Sequence, residues 1–287
     1  MKILITGARG MLGTDLSATL SRRHTVTSTD IDDLDVRDVQ SVFRAVEERQ
    51  PECVIHLAAL TDVDYCEKCP DEAFHTNALG TQHVALACQR IDAVMLYVST
   101  ISVFDGTKGT SYVEFDTPNP HSFYSHAKYQ GERFVESLLS RYYIVRAGWM
   151  FGGGQEDKKF VAKIIELAST RDELKVVDDK FGSPTYTRDI SAGIDKLVET
   201  GLFGTYHMVN TGAPCSRFEV AEKILEFAAI KTCRLTPVSS AHFPLPAPRP
   251  RMEAARNYQL ELRGMNWMRP WPAALREYIQ VDLAGRG

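Results

Sequence analysis

The 287-residue chain has little of what several protein classes require. No apolar run reaches the roughly 20 residues that cross a bilayer, so no membrane-spanning helix is expected. Positive charge is not in excess: 33 Lys and Arg stand against 37 Asp and Glu, a net charge of −4. That balance argues against a nucleic-acid-binding surface, while a local basic pocket stays open. The six cysteines, at 53, 66, 69, 88, 215 and 233, lack the density and regularity of a disulfide framework. Cys66 and Cys69 form the one tight pair, and no second cysteine or histidine pair follows at ligand spacing. Reduced structural thiols and no metal site are expected. Repeats and low-complexity segments are absent. Met1-Lys-Ile-Leu-Ile-Thr6 reads as a strand rather than a signal peptide, which implies a cytoplasmic protein.

What is present is an alternation of strand and helix signals. Residues 2–6 are apolar, Gly7-Ala-Arg9-Gly10-Met11-Leu12-Gly13 follows, and Leu16 and Leu20 continue with helical spacing. In that strand–turn–helix context the glycines allow a tight turn, and backbone N–H groups can approach a pyrophosphate. Thr25–Thr29 reads as a second strand ending at Asp30, whose carboxylate suits ribose hydroxyls and repels a 2′-phosphate. This leans the cofactor from NADPH towards NADH, with Arg9 as a counterweight able to pair with such a phosphate. Asp35 and Val36 are expected beside the adenine. Residues 39–50 are helical, and 53–57 form a buried strand that runs into Ala58-Ala59-Leu60, small enough to admit a cofactor to the backbone. A helix carrying Asn77 and a strand over 93–98 lead to Ser99-Thr100. Such alternation implies a doubly wound parallel sheet with ligands at the strand C-termini, where Thr100 sits.

Tyr124-Ser-His-Ala-Lys128 sets a phenol and an ammonium one helical turn apart on one face. A neighbouring ammonium favours the phenolate, so the Tyr124 pKa is expected to fall towards the working pH. The phenol then gives a proton to a carbonyl oxygen or takes one from an alcohol. An ordinary amphipathic turn shows the same spacing, so the pair gains its weight from its surroundings.

Gly7-x2-Gly10-x2-Gly13, His56-Leu-Ala-Ala59, Asn77, Ser99-Thr100 and Tyr124-x3-Lys128 together resemble extended short-chain dehydrogenase/reductases. Longer strings narrow the resemblance. They are Val103-Phe-Asp-Gly106, residues 114–120, Arg146-Ala-Gly-Trp149-Met-Phe-Gly152, residues 176–189, residues 204–210 and Pro248-Arg249-Pro250. With them, residues 1–280 resemble the dTDP-4-dehydrorhamnose reductase family. The resemblance implies a Rossmann-like α/β fold with a dinucleotide-binding domain over 1–150 that returns near 183–211. A smaller α/β sugar-nucleotide lobe is expected over 151–182 and 212–280, and a tail over 281–287.

The implied activity is an NAD(P)H-dependent reduction of the C4 keto group of a nucleoside-diphospho-4-keto-6-deoxyhexose, in a monomer or homodimer. Tyr124 is implied as proton donor, Lys128 as its electrostatic partner and ribose anchor, and Thr100 as the hydroxyl bonding the reacting oxygen. Ser99 and Asn77 are implied beside the cofactor. Trp149 and Ser102 would face the sugar, and Arg249 would hold the nucleotide-sugar.

The chain departs from that pattern near the sugar. Where the family reads Ser-Thr-Asp-Tyr-Val-Phe, this chain has Ser99-Thr100-Ile101-Ser102-Val103-Phe104. Beyond Pro250, Glu253 stands in place of a serine, and Ala255-Arg256 in place of Leu-Asp. At about 1–3 kcal/mol per buried partner left unpaired, several lost polar groups predict weaker recognition or a pocket for a different sugar. A nucleotide-sugar epimerase or dehydratase would keep the fold, but Ile101 and Ser102 supply no acid–base pair for a dehydratase. A non-catalytic regulatory subunit, like the β subunit of methionine adenosyltransferase, would have no use for Thr100, Tyr124 and Lys128 together.

Overall fold

The computed structural model describes residues 1–154, 157 and 159–283. β1 (Lys2–Thr6), β2 (Thr25–Thr29), β3 (Cys53–His56), β4 (Val94–Thr100) and β5 (Tyr142–Ala147) form one sheet with the strand Gly204–His207. The spatial order is 204–207, β5, β4, β3, β1, β2, and every pairing is parallel. All four residues of β3 are buried, as a strand covered on both faces requires.

The covering helices are α1 (Met11–Leu20), α2 (Val39–Arg49), α3 (Val63–Lys68), α4 (Pro70–Phe74), α5 (Gly80–Ile91) and α6 (Phe123–Leu138). Side chains alternate along β1. Ile3 and Ile5 pack with Leu16, Leu20, Ile190 and Ile194 of α1 and the helix Thr187–Leu197. Leu4 packs on the opposite face with Val42, Val84 and Val135 of α2, α5 and α6. Asp38 caps α2 by accepting from Gln40 N and Ser41 N, and Gln50 at φ 45° turns the chain away one residue before Pro51.

Beyond β5 the chain builds a second core. Helices Phe160–Ala168, Arg217–Phe227 and Trp271–Glu277 enclose Val161, Ile164, Ile224 and Leu275 with Tyr186 and Tyr278. The short strands Phe181–Gly182 and Met252–Glu253 pair in parallel, next to Cys215–Ser216. A π-helical turn over Tyr278–Leu283 packs Leu283 on this core, and Asp282 accepts from the Tyr186 hydroxyl at 2.5 Å. Residues 281–283 therefore belong to the packed lobe rather than to the expected tail, and 284–287 lie outside the described residues. Among the described residues no helix is long and apolar enough to cross a membrane, and no metal-binding cluster occurs. All six cysteines are free.

Candidate active site

The connection from β1 leads outward to β2, whereas β3 leads to β4 on the other side, so a crevice opens between the C-terminal ends of β1 and β3. Gly7 turns there at φ 71°, and a Cβ on it would lie 2.6 Å from Ala58 N. Backbone alone forms this part of the wall. α1 starts at Met11, and its N-cap Gly10 makes no side-chain cap bond, leaving the first N–H groups for a ligand anion. The turn therefore fits the pyrophosphate of a dinucleotide.

A cleft of about 820 Å³ runs from this crevice into the second lobe. Among the residues named from sequence, Gly7, Gly10, Met11, Leu12, Gly13, Asp30, Asp35, Val36, Ala58, Ala59 and Leu60 line it. Thr100, Ser102, Tyr124, Trp149 and Arg249 line it as well. Arg9, Asn77, Ser99 and Lys128 are not part of that lining; the last three are buried and Arg9 is exposed. The Arg9 backbone N–H donates to Asp30 at 2.8 Å, and its solvent-exposed guanidinium donates to Asp32 at 2.7 Å. Asp30 also accepts from Ile31 N, so its carboxylate braces the glycine turn. Asn77 is buried and clasps the Leu60 backbone from both sides, donating at 3.0 Å and accepting at 2.8 Å. Ser99 is buried, and its hydroxyl lacks a partner among the described residues.

Ser122 caps α6, which places Tyr124 in the first turn of the helix. The phenol and the Thr100 side chain at the end of β4 line the same cleft. Burial pushes the Tyr124 phenol up, with Cys66 and Glu253 adding to the shift and Thr100 opposing it. Tyr124 is half-buried and Lys128 fully so: its Nζ donates to Val98 O at 2.8 Å and sits 4.2 Å from the Tyr97 ring centroid. Burial pulls the amine down to about 7, against the upward pull of Glu132. The expected fall of the Tyr124 pKa is thus not what this structure shows. Desolvation sets the direction, and the lysine amine is turned to Val98 O, one strand residue short of Ser99.

The family described as the RmlD substrate binding domain matches residues 1–283. The chain belongs to that family. A dTDP-4-dehydrorhamnose reductase of Streptomyces griseus is 37% identical over 290 residues, covering 99% of this chain and 94% of that protein. The crystal structure of a dTDP-4-dehydrorhamnose reductase of Clostridium acetobutylicum superposes with a TM-score of 0.94 at 40% identity, over 98% of this chain and 99% of that one. A third similar structure is the dTDP-4-dehydrorhamnose reductase of Bacillus anthracis in complex with NADP, with a TM-score of 0.93 at 39% identity over 97% and 98% of the chains.

This RmlD-family chain uses its departures unevenly. Ile101 is buried against Val103, Phe104 and Val209, and Arg256 pairs with Glu261 at 2.6 Å; neither lines the cleft. Ser102 and Glu253 do line it, and they touch each other: Ser102 Oγ donates to Glu253 Oε1 at 2.5 Å. Glu253 Oε2 also accepts from Trp149 Nε1 at 3.1 Å. A carboxylate therefore stands in the cleft wall at one of the departing positions.

Among the cleft residues that the sequence did not single out are two arginines. Arg37 lines the Asp35 side of the cleft, in a bidentate pair with that carboxylate. Arg217 opens its helix after the Ser216–Glu219 capping box and lies 3.6 Å over the Trp149 ring, with no hydrogen-bond or ion-pair partner among the described residues. Burial holds its pKa down at about 10, and the neighbouring Arg249 adds to the depression. A lone arginine at a helix start carries no mark of a binding cleft in sequence.

Proposed function

We infer that this chain reduces a nucleoside-diphospho-4-keto-6-deoxyhexose, dTDP-4-dehydro-L-rhamnose, to dTDP-L-rhamnose at the expense of NADPH or NADH. The observation that carries this reading is the shared cleft. The open N-terminus of α1, the Thr100–Tyr124 pair, and Arg217 with Arg249 all face one volume. The reductase names of the relatives and the NADP complex of one of them support it.

Bound reduced nicotinamide supplies the hydride for the sugar C4. Tyr124, kept protonated by burial, donates its proton to the C4 oxygen as negative charge develops there. Thr100, on the same cleft wall, offers its own hydroxyl to that oxygen. Arg217 and Arg249 receive the diphosphate, which relieves the repulsion between two guanidinium groups in one cleft. Lys128 lies one turn behind Tyr124 and anchors the ribose.

Asp30 leans the choice towards NADH. Arg9 accommodates a 2′-phosphate once it leaves Asp32, so both cofactors are accepted. The protein acts as a monomer or homodimer in the cytoplasm, a reading supported by the lack, among the described residues, of a helix long and apolar enough to cross a membrane.

The test is oxidation of NADPH and NADH, followed at about 340 nm, with dTDP-4-keto-L-rhamnose as substrate. Steady oxidation by the wild type is expected, with a loss of at least about 100-fold in Tyr124→Phe and intact nucleotide binding. A wild type that binds cofactor and oxidises neither overturns the reading.

A further inference from the structure

The Trp149 indole is held on both faces. A Cβ on Gly182 would lie 2.3 Å from Trp149 Cε2, so the ring rests on bare glycine backbone. The Arg217 guanidinium covers it at 3.6 Å. Held this way, the indole directs its N–H in the ring plane, to Glu253 Oε2. Glu253 stands opposite Gly182 in the parallel register of their two strands, so indole and carboxylate share one edge. Ser102, 151 residues earlier in the chain, secures the other carboxylate oxygen.

A carboxylate presents about four acceptor sites. The indole and Ser102 occupy two of them, and the cleft that Glu253 lines is open to the rest. Glu253 also acts electrostatically on the Tyr124 phenol, which puts it at the reacting end of the cleft.

We propose that Glu253, held rigid by Ser102 and Trp149, reads the sugar by accepting hydrogen bonds from hexose ring hydroxyls next to the reacting carbon. This rests on the reductase reading and names the group that selects its sugar. An acceptor-only site selects a neutral ring with free hydroxyls and rejects a ring bearing a carboxylate. Small Ser102 and long Glu253 act as a pair: the serine leaves the space that the carboxylate occupies, and its hydroxyl locks the carboxylate in position.

Calorimetric titration with bare dTDP and with dTDP-L-rhamnose, NADP⁺ present, separates the sugar's share of affinity from the nucleotide's. In Glu253→Ala the affinity ratio of the two ligands should fall about tenfold or more, with dTDP binding unchanged. Glu253→Gln keeps the shape and one acceptor oxygen, so it should fall less and guards against a folding defect in the alanine variant. A wild-type sugar gain that survives Glu253→Ala unchanged overturns the inference alone and leaves the carboxylate as packing for Trp149. A wild type that gains nothing from the rhamnose overturns both this inference and the substrate reading.

Discussion

Glu132 and Arg146 form a bidentate ion pair in the interior, at 2.9 and 2.7 Å, with side chains 0% and 5% exposed. Glu132 lies on α6 one turn beyond Lys128, and Arg146 lies near the C-terminal end of β5. The pair therefore docks the helix that carries Tyr124 and Lys128 onto the sheet. Phe104 covers the guanidinium at 5.2 Å. Removing one partner strands a buried charge, so Arg146→Met is expected to cost about 3–5 kcal/mol. Adding Glu132→Leu to Arg146→Met should recover part of that loss. Urea unfolding of both singles and the double checks this, and additive losses would refute the coupling.

Lys128 has a folded pKa of about 7, below its unfolded value of about 10.4. Between those values the unfolded chain binds the extra proton, so stability rises with pH across that window. Below about 7 both states are charged and the penalty is constant. Relative to Lys128→Met, the wild type should therefore gain stability from pH 7 to pH 10, on the order of a few kcal/mol. Denaturation midpoints of both proteins at several pH values test it. A difference that does not change with pH would sink the assignment.

His56 is buried between Thr6 Oγ1 at 2.7 Å and Thr81 Oγ1 at 3.1 Å. Burial, with Lys128 nearby, brings its pKa down to about 3. Again the folded value lies below the unfolded one, about 6.5, so stability is complete above that pH and falls as pH drops towards 3. Buried His207 adds a second such group. Each contributes a slope of about 1.4 kcal/mol per pH unit within the window. In His56→Gln the acid loss between pH 6 and 4 should be shallower by one group, read from urea curves. An unchanged slope would show that other groups govern acid unfolding.

Among the described residues Arg217 has no ion pair to lose, so Arg217→Met should leave the thermal midpoint unchanged or raise it. The same variant should bind dTDP about tenfold more weakly, as expected for a lost charge-assisted contact. Parallel thermal and calorimetric measurements distinguish this from a structural role, in which stability falls and dTDP affinity holds.

Much of the fold and part of the site are legible in the chain because their causes are local. The strand–turn–helix over residues 2–20 reads directly, since glycine spacing and apolar periodicity act within a few residues. The helical placement of Tyr124 and Lys128 follows from a four-residue interval. The direction of their pKa shifts does not follow from it, because the sheet and lobe that desolvate both groups are built from distant segments. Asn77 stands out in the sequence within a family string, but its double clasp on Leu60 depends on α4 and α5 folding back over the end of β3. Arg217 reads as a surface residue until its helix closes over Trp149. Ile101 and Ser102 are adjacent in sequence, yet the turn after β4 sends one into the core and the other into the cleft. Glu253 meets Ser102 only because its short strand pairs beside Gly182. Sequence alone determined the elements and the cofactor turn, where neighbouring dihedrals and side-chain pattern decide. Tertiary structure decided charge state and which distant side chains share the cleft, because desolvation and contact across 151 residues exist only once the later segments are packed against the sheet.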